Sequence, residues 1–252
     1  MITNNIVDLI GNTPLIKLKY PSEITNCEIY GKAEFLNPGG SIKDRTALGI
    51  ILDAEKNKLI EPKGICVEGT FGNTGIGLTL VNNARGYKTV IVMPNITVPS
   101  KRDILKNMGA ELHLVDPKPY SDPGNYQRVS ERLAKEIEKE RGVKTFWAGQ
   151  FENTSNYKFH EQTTATEIYN QTNEIVSAKD INLPAIYIRD VTLPQTLKTA
   201  IEQKLKQEQE ALEYDFKIQK ARKEAERKEI EANGISKFQK IVNQTITPQL
   251  LK

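Results

Sequence analysis

Fifteen of the sixteen glycines lie at or before Gly149, and only Gly234 follows. Glycine supplies the turns, helix stops and close backbone approaches that other residues resist. A chain that uses it freely and then almost stops joins two kinds of structure. The first part needs frequent reversals. The second, dense in Lys, Glu, Gln and Ala, needs few or none.

From about residue 27 to 150 the pattern alternates strand and helix. Cys27–Tyr30 and Lys32–Phe35 read as a strand before a loop. Asp44–Lys56 reads as a helix, because Ala47, Ile50, Ile51 and Ala54 recur at helical spacing. Gly64–Val67 is a short buried strand. Gly72–Ala84 is a loop running into a helix that Gly86 stops. Lys88–Met93 is a β-branched strand of the kind found in a parallel sheet covered on both faces. Ser100 is placed to cap a helix ending near Met108. Glu111–Val115 is the next strand, with His113 as a packing residue. Asn125–Arg141 is a helix and Val143–Trp147 a last strand. Repeated strand–helix–strand units predict an α/β fold: about four parallel strands between residues 35 and 150, with helices on both faces.

From about 195 to 232 the character changes. Leu197, Ile201, Leu205, Leu212, Phe216, Ala221 and Ala225 recur among Lys, Glu and Gln, with no glycine or proline between. This predicts a long charged helix with a narrow apolar stripe. Two readings remain open: an oligomerisation rod, and a solvated helix lying on its own domain.

Composition excludes several classes. Net charge is +3, which demands neither nucleic acid nor an anionic membrane. Cys27 and Cys66 form no C-x-x-C pair, so no disulfide framework or metal site is expected. The first residues lack the pattern of a signal peptide. No run approaches the roughly 18 apolar residues of a membrane span. A cytoplasmic location is expected.

Three segments carry chemistry. In Asn37-Pro-Gly-Gly-Ser-Ile-Lys43-Asp-Arg45 a glycine-rich loop delivers a lysine to the start of a helix. The positive end of a helix dipole favours the neutral amine that Schiff-base formation requires. In Glu68-Gly-Thr70-Phe-Gly72-Asn73-Thr74-Gly75-Ile-Gly77 a similar loop follows a strand and opens a helix, where N–H groups and hydroxyls form an anion site. The third segment is Gln150-Phe-Glu-Asn153, with His160-Glu-Gln-Thr-Thr164 after it. A glutamine after a strand can place its amide against a carboxylate.

Together with Asp8-Leu-Ile-Gly-Asn-Thr-Pro-Leu15, these segments resemble the cysteine synthase family of fold-type-II pyridoxal phosphate (PLP) enzymes, over about residues 5–172. The resemblance implies that Lys43 holds PLP and later moves the substrate's α-proton. It implies that Asn73 bonds the cofactor's ring hydroxyl. It gives Thr70, Gly72, Thr74 and Gln150 to the substrate carboxylate. The implied reaction is β-replacement, in which an O-acetylserine-like amino acid loses acetate and sulfide adds to give cysteine. Two departures stand out. Phe71 occupies a position that is usually small, and Ala165-Thr166 replaces Gly-Pro. The family's second half holds a glycine-rich loop around the PLP phosphate, yet no glycine lies between Gly149 and Gly234. Residues 1–172 therefore read as the family's small domain with an incomplete second domain. Weak PLP binding, slow turnover and loss of the family dimer are expected. Ile10, Leu15, Ile16 and Phe151 are expected to be partly exposed.

Residues 183–252 follow a junction at 173–182. Leu183-Pro-Ala-Ile-Tyr-Ile-Arg-Asp190, Leu193–Ile201 and Lys220–Arg227 resemble the end of an SPFH (band 7, prohibitin-like) domain and its coiled coil. That resemblance implies self-association through the 195–232 helix, and an alternative location peripheral to a membrane. A non-native fusion of two gene fragments would give the same abrupt change of glycine content.

Overall fold

The computed structural model describes residues 2–186 and 195–245. The chain divides into two compact units, Met1–Ile186 and Tyr187–Lys252. The first contains β1 (Leu15–Lys17), α1 (Lys19–Thr25), β2 (Tyr30–Lys32), α2 (Lys43–Lys56), β3 (Ile65–Gly69), α3 (Asn73–Arg85) and β4 (Lys88–Pro94). It continues with α4 (Pro99–Asn107), β5 (Glu111–Val115), α5 (Tyr126–Arg141), β6 (Thr145–Trp147), α6 (Ser155–Gln162) and α7 (Thr164–Ser177).

Four strands form a parallel sheet in the order β5-β4-β3-β6. Its side chains alternate between two faces, as strand geometry requires. Ile65, Val67 and Val90 face Ala134 and Ile137 of α5. On the other face Cys66 packs with Ile50, Ile51, Leu78 and Val81 of α2 and α3. Ile91 and Met93 meet Ile76 and Leu105 there. The fold is therefore α/β, with helices on both faces of a parallel sheet.

Local signals set most boundaries. Gly86, at φ +79°, ends α3 in the left-handed conformation. Asn125 caps α5 by accepting from the Gln127 N–H. Ser100 is not a cap: Pro99 takes the first helical position and Ser100 lies inside α4. The expected strand within residues 27–35 is three residues long and lies outside the parallel sheet. β2 instead pairs antiparallel with β1, and Glu34–Leu36 forms a 3-10 turn. His113 lies on edge strand β5 and is partly exposed, with Nε2 3.2 Å from Glu111 Oε1 rather than packed in the core.

The segments flanking the sheet are held by α2. Val7 and Ile10 pack into its core cluster. Arg45, 1% exposed, bonds Glu34 and also Glu167 of α7. Lys32 reaches Glu167 at 2.7 Å. Ile10 and Leu15 are half-buried, while Ile16 and Phe151 are exposed.

The second unit contains α8 (Gln195–Thr245), 51 residues long and continuous through Gly234. One glycine costs a helix only about 1 kcal/mol. Residues 187–194, which hold a small part of the SPFH-like stretch, fall outside the described residues. So do the side chains of Leu197, Ile201, Leu205, Leu212 and Phe216. Ala221 and Ala225 are exposed. Among the described residues no helix is long and apolar enough to cross a membrane.

Candidate functional site

The site forms at the carboxyl ends of β3 and β6, where open parallel sheets place their ligands. After β3 the chain turns through Thr70, Phe71 and Gly72 into α3. The Thr70 N–H donates to the Val92 carbonyl at 3.0 Å, and its Oγ1 accepts from the Gly72 N–H at 3.2 Å. Gly72 adopts φ +147°, and a Cβ there would lie 2.5 Å from Lys101 Cδ. The backbone conformation favours glycine here, while the lysine side chain could move aside.

Lys43 opens α2. A Cβ at Gly77 would lie 2.9 Å from the Lys43 carbonyl oxygen, so this glycine lets α3 press directly on the start of α2. That contact brings Lys43 beside the 70–74 loop. The loop before Lys43 closes on Asp44, whose Oδ2 accepts from the Gly39 N–H at 2.5 Å. Burial pushes the Asp44 carboxyl up to about 6, and its Oδ1 has no hydrogen-bond partner among the described residues.

Gln150 follows β6 after Gly149, at φ +54°. Thr74 Oγ1 donates to Gln150 Oε1 at 2.5 Å, and Gln150 Nε2 donates to Glu68 Oε1 at 3.0 Å. Thr70, Thr74, Gln150 and Glu68 are all buried.

Lys43, Thr70, Gly72, Asn73, Thr74 and Gln150 line one open cavity of about 300 Å³, joined by Phe71, Lys101, Tyr126 and Phe151. No carboxylate side chain lines it, and two lysines do, which suits an anionic ligand. Neither lysine ammonium has a hydrogen bond or ion pair among the described residues. Phe71 lines the wall with its ring against Tyr126, centroids 5.0 Å apart at 80°. Sequence reading missed Lys101, Tyr126 and Phe151, and gave Glu68 no role. Glu68 did carry a signal: a carboxylate inside an otherwise apolar strand needs a partner. His160 instead contacts Thr46 at 3.2 Å and Thr164 at 2.9 Å. Among the described residues no cluster of His, Cys, Asp or Glu could hold a metal ion.

A lysine beside the 70–74 loop in a cavity lined by no carboxylate fits a class of proteins that hold an anionic ligand next to an amine. Comparison with known proteins gives the family. The family described as pyridoxal-phosphate dependent enzyme matches residues 6–183, and the chain belongs to it. Cysteine synthase 1 of Neurospora crassa is 46% identical over 177 residues, covering 70% of this chain and 46% of that protein. The structure of an O-ureido-L-serine synthase matches with TM-score 0.59 and 38% identity, covering 67% of this chain and 50% of that one. A hydrogen sulfide-producing enzyme from Fusobacterium nucleatum matches with TM-score 0.59 and 38% identity, covering 69% and 54%. The chain spans about half the length of these relatives.

The residues present fit the family's cofactor. Lys43 offers a primary amine with no partner among the described residues. The open start of α3 offers N–H groups and the Asn73 amide. The glycine at 72 keeps the approach to them free of a side chain.

Proposed function

We propose that this chain carries the lysine-bearing half of a β-replacement site, acting on an O-acetylserine-like amino acid with sulfide as the second substrate. The single observation behind this is that Lys43, the 70–74 loop and Gln150 line one cavity, although they are spread over 107 residues of sequence. A relative named cysteine synthase 1 is 46% identical over 177 residues, 70% of this chain.

Bound on Lys43, pyridoxal phosphate supplies an electron sink for the substrate's α-carbon. The rest of the work belongs to the chain. Lys43 offers the amine that anchors the cofactor and then carries the α-proton between carbon and solvent. Asn73 is placed to bond the cofactor's ring hydroxyl. Thr70, Thr74, the N–H groups at Gly72 and beyond, and Gln150 hold the substrate carboxylate, which fixes the α-carbon against Lys43. Phe71 and Tyr126 cover one side of the cavity and narrow it. The lining includes a single glycine-bearing loop, so weak retention of the cofactor phosphate by this chain is part of the proposal.

The test is a cofactor titration of the full chain beside Lys43→Ala. A visible absorbance band in the parent, lost in the variant and weakened by dialysis, is expected. An equal band in both proteins would count against the assignment.

A second reading rests on α8, where Ile230, Ile235 and Phe238 are exposed on a charged helix. Such side chains suit self-association of this helix. Sedimentation of the full chain would show an oligomer that Ile230→Glu plus Phe238→Glu dissociates. A monomer at all concentrations would remove this reading.

A further inference from the structure

A line of side chains runs from the cavity wall into the core. Thr74 Oγ1 donates to Gln150 Oε1 at 2.5 Å. Gln150 Nε2 donates to Glu68 Oε1 at 3.0 Å, and the Gln150 N–H reaches Glu68 Oε2 at 3.4 Å. Glu68 is 2% exposed and lies at the end of β3, beneath the loop.

The donor count has a consequence. Thr74 has one hydroxyl proton, and here it goes to Gln150. A ligand carboxylate arriving at Thr74 would meet only lone pairs. Gln150 turns its oxygen to Thr74 because its nitrogen is held by Glu68. An ionised Glu68 only accepts, so it holds the amide this way round. A protonated Glu68 can donate to the amide oxygen. With the amide turned over in that way, Nε2 would face Thr74 Oγ1 and the Thr74 proton would be free to point into the cavity.

We propose that Glu68 is a positioning residue whose proton selects between two orientations of the Gln150 amide, and that only the protonated form presents Thr74 as a donor to a ligand carboxylate. The proposal rests on the reading that Thr74 and Gln150 face the substrate carboxylate.

The surroundings suit such a residue. Burial pushes the Glu68 carboxyl up to about 8, against the opposing N–H groups of Gly149 and Gln150, and the Glu152 charge adds to the rise. The proton is therefore exchanged within an ordinary buffer range. Cys66 on the same strand is pushed up to about 12 by burial and stays a thiol there. The Tyr126 phenol is raised above its usual value by burial and stays neutral. Arg128, Glu131 and Glu152 line, with Glu68, a second cavity of about 30 Å³.

Nuclear magnetic resonance of the ¹⁵N-labelled full chain follows the Gln150 amide through the Glu68 proton exchange. The Gln150 side-chain amide signals, followed from about pH 5.5 to 9.5, should show a transition near 8 in the parent. None should appear in Glu68→Gln, whose amide stays neutral. L-lactate, an amine-free carboxylate, is the ligand probe. Its affinity in the parent should fall above that transition by up to about tenfold per pH unit, and should stay flat in the variant. Absence of a Gln150 transition in the parent overturns the proposal without recourse to the variant. So does an identical transition in both proteins, or a pH-independent lactate affinity in the parent. A transition confined to the parent with no lactate binding at any pH upholds the amide switch and overturns the carboxylate reading beneath it.

Discussion

Glu68 also leaves a signature in stability. Its folded carboxyl holds a proton up to about 8, well above the usual carboxylate range, because burial penalises its charge. Between about 4.5 and 8 the folded chain is protonated there and the unfolded chain is not. Stability therefore falls as pH rises through that window. Glu68→Gln removes the dependence. Its melting temperature relative to the parent should climb from pH 5 to pH 8.5 in thermal unfolding by circular dichroism, and a constant difference would contradict the assignment. The sequence disclosed much of the site at this scale. Lys43, Asn73 and Thr74 were legible because glycine-rich loops mark them locally. Lys101 and Tyr126 were not, because only the folding of α4 and α5 over the loop brings them to the cavity.

At the scale of elements, the site depends on how closely α2 and α3 meet. A Cβ on Gly77 would lie 2.9 Å from the Lys43 carbonyl and 3.1 Å from Asp44 Cα, both backbone atoms that cannot rotate away. Gly77→Ala must push the helices apart, at a cost of about 1–3 kcal/mol. Urea unfolding should show that loss, and cofactor binding at Lys43 should weaken with it. Unchanged stability would mean the contact is looser than described. The four parallel strands were legible because β-branched runs are bounded by glycines. β2 was legible only as a strand, because its pairing with β1 depends on a partner that the local pattern does not announce. Ser100 was misassigned because Pro99 at the first helical position outcompetes a capping hydroxyl.

Across the first unit, one ion cluster ties distant segments together. Arg45 reaches Glu34 at 2.9 Å and Glu167 at 2.7 Å, the latter across 122 residues of sequence. Burial alone would raise the Glu167 carboxyl, but hydrogen bonds from Arg45 and Lys32 outweigh it and hold it at about 2. This depressed carboxyl contributes stability that is present above about 4.5 and lost as pH falls towards 2. Arg45→Met leaves Glu34 without its cation and Glu167 with Lys32 alone, and should cost about 3 kcal/mol near neutral pH. The deficit should shrink below pH 4 as Glu34 and Glu167 take up protons, and a deficit that grows on acidification would refute the cluster's role. Nothing local in the sequence announced this cluster, since its members come from β2, the following turn, α2 and α7.

The central claim is that Lys43 is where this chain holds its cofactor. The direct measurement is to mix the full chain with pyridoxal phosphate, reduce with borohydride, digest, and map the pyridoxyl group by mass spectrometry. The account expects the label on Lys43 at stoichiometry well above any other lysine. A label spread over surface lysines, with Lys43 unmodified, would contradict it.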